Sequence, residues 1–121
     1  MQVMRKGQIP TEDLTNAPIF YGGKVTREAI AGPDKTRYYN FAIVSFARGA
    51  KNKFHTHTSD QILYVTSGKG IVATEKGEVV VGEGDTILIP AGEKHWHGAT
   101  GEANFAHIAL TTADSETRIS D

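Results

Sequence analysis

Apolar residues in this chain occur in short runs that are separated by polar or glycine-containing segments. The runs are rich in β-branched and aromatic side chains, which is typical of strands. Strands that recur about every 8 to 12 residues with turn residues between them predict an all-β sandwich or barrel. The predicted strands are 38–46, 61–66, 71–74, 78–81, 86–89 and 105–110, preceded by a weaker strand or strand pair at 20–30.

The chain divides into three parts by polarity. Residues 1–18 are polar and contain Pro10 and Pro18, so we expect an arm or loop there. Residues 19–111 hold the strands and form one domain, because 121 residues suit a single hydrophobic core. We expect the polar tail 112–121 to be frayed. Within the domain, the glycines of 68–70 predict a tight turn between two strands.

Two histidines that are two residues apart form the first chemical signal. On a strand, residues i and i+2 share a face, so His55 and His57 would present both imidazoles to one point. Gln61 follows after a polar triplet and has the parity to join that face if the strand resumes in phase. Neutral imidazole is a common ligand of transition metals. The spacing is therefore compatible with a metal site on a strand.

A pair of histidines on a strand is more often simply exposed or hydrogen-bonded than metal-bound. The remaining histidines change this balance. His95 and His97 repeat the spacing of two, and His107 lies in the last predicted strand. All five histidines thus fall in strand segments, which is difficult to explain as scattered surface histidine.

Composition narrows the classes of function. A formal net charge of −1 argues against nucleic acid and anionic membranes as partners. The chain has no cysteine, so a metal would need histidine, carboxylate or amide ligands. No stretch has the length or hydrophobicity of a membrane span or of a secretory signal, and we expect a soluble, cytoplasmic protein.

The two histidine segments together resemble the paired motifs of the cupin superfamily. The resemblance covers about residues 40–111. It implies an all-β fold, the double-stranded β-helix or small jelly-roll barrel, with one divalent metal in its mouth. The matching positions are Gly49, His55, His57 and Gly68 in the first motif and Gly84, Pro90, Gly92 and His95 in the second.

Among cupins, the chain looks closest to a subgroup with the pattern His-x-His-x3-Gln, which includes carboxymuconolactone-decarboxylase-like cupins and manganese-dependent bacterial hydroxynitrile lyases. This resemblance implies one divalent transition metal, with manganese as the first expectation and iron, nickel or zinc as alternatives. It implies that His97 and His107 stand beside an open coordination position as catalytic residues. The implied metal ligands are His55, His57, Gln61 and His95.

Two positions depart from the superfamily pattern. Gln61 stands where most cupins have a glutamate, and Ala99 stands where they have an asparagine. An amide in place of a carboxylate leaves the site one negative charge short, so that a bound ion would keep more of its Lewis acidity. The alternative is that Gln61 does not coordinate and that the metal is weak or absent.

Strand parity also predicts the surroundings of the site. Large apolar groups on the opposite face, at Trp96, Tyr64 and Ile62, would be poorly covered in a lone barrel, and we expect a homodimer. The residues with the parity to line a substrate pocket are Ala42, Val44, Phe46, Leu63 and Val65, although each could equally belong to the plain core.

Three functions remain open. The first is a metal-dependent enzyme of lyase, decarboxylase or isomerase type that acts on a hydroxylated or carbonyl-bearing small molecule. In it His97 or His107 would move a proton, and the rate would rise through about pH 6 to 7 as neutral imidazole appears. The second is an iron or nickel dioxygenase. The third is a non-catalytic module that binds a metal or a sugar-like ligand.

Overall fold

All regular structure in the chain is β-strand. The computed structural model describes residues 1–120, and none of them forms a helix that is long and apolar enough to cross a membrane. The strands are β1 (Thr11–Asp13), β2 (Phe20–Tyr21), β3 (Val25–Ala31), β4 (Tyr39–Phe46), β5 (Lys51–Asn52), β6 (His55–His57), β7 (Gln61–Thr74), β8 (Gly77–Gly82), β9 (Thr86–Ile89), β10 (His95–Ala99), β11 (Phe105–Thr112) and β12 (Thr117–Ile119).

The long strand β7 joins two groups of antiparallel strands. Its first half pairs with β9 and β11, and the first group continues from β11 through β4 and β3 to β1. Its second half pairs with β8 and β10, and β10 in turn pairs with β5 and β6. The sheet therefore curls through β7 into a barrel, and the expected all-β barrel is confirmed.

The expectation of a tight turn at 68–70 is wrong, because β7 runs on through these residues. Gly68 has a φ of +77°, and a Cβ there would collide with the carbonyl oxygen of Asn104. The register of β7 against β11 also shifts beside this point, between Ala106 and His107. A bulge and a glycine thus let the strand change partners without ending.

The hydrophobic core lies between the two groups of strands. Val25, Phe46 and Phe105 come from the first group of strands. In the second group, Ala50 directly precedes β5 and Ala99 is the last residue of β10. Phe46 and Phe105 are almost fully buried, and their ring centroids are 6.0 Å apart. These two rings separate the core from the histidine-rich end of the barrel.

Both polar ends of the chain contain paired backbone. Thr11–Asp13 pairs with β3, and Thr117–Ile119 pairs with β6, where Thr117 lies opposite His57. The expectation of a frayed tail is therefore wrong for Thr117–Ile119. All three residues of this strand are exposed although its backbone is paired, so the polarity of the tail was a poor guide to pairing.

The exposed apolar side chains do not form a single surface. Ile62 and Tyr64 point outward from the first half of β7, and Leu88, which lies opposite Ile62, is 71% exposed. Trp96 lies on β10 in the second group of strands, with the Lys51 ammonium 5.1 Å from its ring centroid. The homodimer stays a prediction.

Candidate metal centre

The histidines surround a cavity at one end of the barrel. The cavity has a volume of about 900 Å³ and opens between the N-terminal segment, the turn at 32–34 and β12. Its wall includes four of the five histidines and Gln61. The fifth, His95, is buried behind them. The site therefore combines polar ligands with a volume that could hold a small molecule.

Strand pairing brings three of the histidines together. His55 and His57 share one face of β6, as their spacing predicts, and His95 of β10 lies directly opposite His55. The ring centroid of His55 is 4.9 Å from that of His57 and 4.2 Å from that of His95, and the His57 and His95 centroids are 5.4 Å apart. A cross-strand pair and an i, i+2 pair thus form a triangle of imidazoles.

Hydrogen bonds at Nδ1 orient the three rings. Nδ1 of His55 is 2.6 Å from the carbonyl oxygen of Lys53, and Nδ1 of His95 is 2.8 Å from that of Glu93. A carbonyl can only accept, so these two Nδ1 atoms carry the proton and Nε2 keeps its lone pair. Nδ1 of His57 is 2.9 Å from the hydroxyl of Thr117, which can either accept or donate, so this contact orients the ring without selecting its tautomer.

Three buried polar atoms at this point have no hydrogen-bond partner among the described residues. They are Nε2 of His57, Nε2 of His95 and Oε1 of Gln61. Buried acceptors without a donor are rare and costly in proteins, so such a group calls for an explanation. A divalent cation coordinated by such atoms would satisfy their lone pairs, and imidazole and amide groups are suitable donors for it.

Burial keeps the imidazoles neutral. It lowers the pKa of His55 and of His57 to about 4, and it lowers the pKa of His95 as well. The hydrogen bonds that His55 and His95 donate from Nδ1 to carbonyls oppose this effect only in part. The lone pairs are consequently free of protons at neutral pH, which is the state that metal binding requires.

The other two histidines form a separate chain of contacts. Nε2 of His107 is 3.2 Å from Nδ1 of His97, and Nδ2 of Asn52 is 3.2 Å from Nε2 of His97 and 3.5 Å from its Nδ1. The backbone N–H of His97 donates to Oδ1 of Asn52, which orients the amide with Nδ2 toward the ring. At the far end, Nδ1 of His107 is 3.2 Å from the carbonyl oxygen of Ile108.

These contacts are compatible with one arrangement of protons. Asn52 donates to Nε2 of His97, His97 donates from Nδ1 to Nε2 of His107, and His107 donates from Nδ1 to the Ile108 carbonyl. Burial lowers the pKa of His107 to about 4 and, together with the neighbouring His107, holds the pKa of His97 well below its usual value. Both rings are therefore neutral around pH 7.

Asn52 is the residue of this site that sequence reasoning missed. It lies in the short strand β5, at one of the unspecified positions between Gly49 and His55 of the first motif, and it is only 3% exposed. A buried asparagine is unusual. The sequence signal was the polar segment Lys51-Asn52-Lys53 just before His55, but nothing in that segment distinguishes the buried residue from its exposed neighbours.

The structure places the five expected pocket residues in two groups. Ala42, Val44 and Phe46 line the cavity. Phe46 forms its floor, with its ring centroid 5.8 Å from that of His97 and 5.7 Å from that of His107. Leu63 and Val65 share the inward face of β7 but are fully buried and do not line the cavity. They belong to the packing beneath it.

Two overlapping sets of residues could hold a metal. One ligand atom from each of His55, His95 and His97 lies within 4.8 Å of the others. The set expected from the sequence keeps His55 and His95 but uses His57 and Gln61 in place of His97. Both sets share the cross-strand histidine pair, so this pair is the centre of any metal site here.

Comparison with known proteins agrees with the fold. The profile of the cupin domain matches residues 42–110, more than half of the chain, and the protein belongs to the cupin family. The (R)-mandelonitrile lyase of Granulicella tundricola is 41% identical over 70 residues, which are 57% of this chain and 53% of the lyase. An acireductone dioxygenase of Leptospira biflexa is 43% identical over 49 residues, 37% of this chain and 28% of that enzyme. The chain thus matches about half of the lyase and less of the dioxygenase.

Solved structures show the same fold over nearly the whole chain. A cupin-like protein from Thermotoga maritima has a TM-score of 0.79 at 25% identity, covering 99% of this chain and 90% of the other. The polyketide cyclase RemF from Streptomyces resistomycificus has a TM-score of 0.87 at 18% identity, covering 100% of this chain and 86% of that one. The second likeness concerns the fold alone.

The buried neutral histidines predict a pH dependence of stability in metal-free protein. Their pKa is about 6.5 when unfolded and lower when folded, so below about pH 6.5 the unfolded state binds more protons. The free energy of unfolding should therefore decrease as the pH is lowered, by up to about 1.4 kcal/mol per pH unit for each such histidine. Urea unfolding of EDTA-treated protein between about pH 5 and 6.5 measures this slope. Most carboxyl groups titrate below this pH range and therefore contribute little to it. His107→Gln should reduce this slope by the contribution of one histidine. Equal stability across this pH range would contradict the account.

Metal binding should depend on the proposed ligands unequally. His55→Ala and His95→Ala should abolish manganese binding, because the cross-strand pair is lost. Gln61→Glu should bind manganese more tightly than wild type, since a carboxylate adds a negative charge, and Gln61→Ala should bind it more weakly. Calorimetric titration with manganese measures each variant, with Trp96→Phe as a control on the outward face of β10. Equal affinity in wild type and in both Gln61 variants would mean that Gln61 is not a ligand.

Proposed function

We propose that this cupin is a metal-dependent enzyme of lyase type that acts on a hydroxylated or carbonyl-bearing small molecule. The observation that carries the proposal is the convergence of buried, unpartnered lone pairs from His57, Gln61 and His95 beside His55. A divalent cation at this point would supply Lewis acidity to a substrate oxygen. The adjacent cavity of about 900 Å³ could admit that substrate.

We assign the metal to His55, His57, Gln61 and His95, rather than to a set that includes His97. Both ring nitrogens of His97 already have partners, in Asn52 and His107. His57 and Gln61, in contrast, offer atoms whose burial without a partner is otherwise unexplained. Manganese is the first candidate because of the resemblance to manganese-dependent hydroxynitrile lyases, and iron, nickel or zinc, which imidazole donors suit, are the alternatives.

We assign proton transfer to His97, with His107 as its positioning residue. Nδ2 of Asn52 is shared between the two ring nitrogens of His97, so we expect this hydrogen bond to be the weakest of those that hold the His97 and His107 rings. If it opens, Nε2 of His97 can take a proton from a substrate hydroxyl. Nε2 of His107 then accepts from Nδ1–H of the charged His97 ring, while the Ile108 carbonyl holds His107 in the required tautomer.

A cyanohydrin is the substrate class that we propose for the first assay. His97 removes the hydroxyl proton, the C–O bond becomes a carbonyl, and the C–C bond to the nitrile breaks with its electron pair on the leaving cyanide. The cyanide takes the proton back from His97 and departs as hydrogen cyanide. The reaction is redox-neutral and needs no co-reactant, and the similarity to a mandelonitrile lyase supports it.

An oxygenase is the second candidate, and the similarity to acireductone dioxygenases favours it. An oxygenase would require O₂ and a redox-active metal. The presence of Gln61, where the superfamily pattern has a carboxylate, supports the lyase instead, because a neutral donor leaves more Lewis acidity on the ion.

The buried position of His97 and His107 changes the pH dependence expected from the sequence. An ordinary imidazole would titrate near pH 6 to 7, but burial lowers the pKa of both rings, that of His107 to about 4. The rate should therefore already be near its plateau at about pH 6. The decrease in rate on acidification should begin below that pH.

Replacement of His97 by Ala should lower the rate of mandelonitrile cleavage by roughly 10²–10⁴, the usual worth of a positioned general base, with the manganese content unchanged. Release of benzaldehyde by manganese-loaded protein, under air and under argon, measures the rate. Wild type should be equally active in both atmospheres, and Trp96→Phe on the same strand serves as the control.

Two results would contradict this proposal. Full activity of His97→Ala would leave the reaction without a base. Activity of the wild type toward a carbonyl substrate only in air would favour the dioxygenase.

A further inference from the structure

Arg27 is a cation in the wall of the cavity that the proposed chemistry does not use. It lies on β3 opposite Val44, and Val44 in turn lies opposite His107 of β11. On the other side of Arg27, Glu12 of β1 is its neighbour. Glu12, Arg27, Val44 and His107 thus form one row across four strands, and all four line the cavity.

The hydrogen-bonding capacity of Arg27 is only partly used. Its Nη2 donates to Oε2 of Glu12 over 2.7 Å. Its Nε is buried and has no partner among the described residues. A guanidinium presents five N–H groups in a planar fork that matches a carboxylate, so an unpaired buried Nε–H leaves one edge of the fork to be satisfied.

Arg27 is the position in the cavity wall at which a negatively charged group of a ligand would find a cation. Among the described residues that line the cavity, Arg27 is the one cation, and Glu12 and Asp34 are the acidic groups. The side chains of Arg27 and Glu12 are 42% and 44% exposed, so their ion pair is open to exchange with a ligand. Glu12 shows that a carboxylate can reach the guanidinium, and a substrate carboxylate could share or take over this contact.

Small side chains provide space between Arg27 and the histidines. The next row of the same sheet consists of Ala29, Ala42 and Ala109, which pair across β3, β4 and β11 and all line the cavity. Three methyl groups in a row leave a shallow channel in the wall. The Cα atoms of Arg27 and His107 are two strands apart, about 10 Å, which leaves room for a short aliphatic chain between the two side chains.

We infer that Arg27 recognises a carboxylate of the substrate, so that the hydroxylated or carbonyl-bearing substrate of the proposed function is a short carboxylate whose reacting oxygen lies at the histidine site. Mandelonitrile, which has no carboxylate, tests the cleavage chemistry and not this specificity. This inference rests on the proposed function for the role of the histidines. The carboxylate binds the free edge of the Arg27 fork, and the chain of the substrate lies over the three alanines.

Binding, measured without turnover, tests the role of Arg27. The probes are 4-oxopentanoate and its methyl ester, which has nearly the same shape but no charge, titrated by calorimetry into manganese-loaded and into EDTA-treated protein. In both forms, wild type should bind the acid at least about tenfold more tightly than the ester, as expected for a charged hydrogen-bonded pair in a partly buried site.

Variants distinguish recognition by Arg27 from a general effect of charge. Arg27→Gln should remove the preference for the acid, and Arg27→Lys should keep only part of it because the fork is lost. Glu12→Gln should strengthen binding of the acid several-fold, since it removes a competing carboxylate. Arg118→Gln is the matched control, because Arg118 also pairs with a glutamate but is 74% exposed, and it should bind like wild type.

The outcomes separate this inference from the proposed function. Equal binding of acid and ester by wild type, or an unchanged preference in folded Arg27→Gln and Arg27→Lys, would overturn the inference even if mandelonitrile is cleaved. A preference that disappears with Arg27 would support it even if no lyase activity is found.

Discussion

The hydrogen bonds at Nδ1 of the histidines are the constraint on which the site depends. An imidazole can turn about two bonds and can carry its proton on either nitrogen, so three histidines on neighbouring strands do not by themselves make a binding site. Carbonyl acceptors next to His55 and His95 remove this freedom, because each carbonyl belongs to the residue two positions earlier on the chain. The rings are oriented before any ligand arrives, and the cost of ordering them is met during folding.

Burial adds the second condition. The five imidazoles lie close to one another and are partly or fully buried, so a second proton on any of them would be poorly solvated, and His107 also packs against Phe46 and Phe105. Each pKa is accordingly lowered, and all the rings are neutral in the same pH range. The same constraint has two uses: lone pairs for a cation in the triangle of His55, His57 and His95, and a neutral base in the pair of His97 and His107.

The local parts of this site could be predicted from the sequence, and the parts that depend on distant pairing could not. The spacing of His55 and His57 determines that they share a face, whatever the rest of the chain does. Thr117 could not be predicted as the partner of His57, because that contact depends on a strand formed by the polar tail. Asn52 and Arg27 were missed for the same reason: their positions in the cavity follow from pairing with strands far away in the sequence.

The tautomers of the ligand histidines test the central claim most directly. Long-range ¹H–¹⁵N correlation spectra of ¹⁵N-histidine-labelled, EDTA-treated protein at about pH 7 report which ring nitrogen carries the proton. The account predicts that His55 and His95 are each protonated at Nδ1 and unprotonated at Nε2, already without a metal. Protonation at Nε2, or exchange between the two tautomers at His55 and His95, would contradict it.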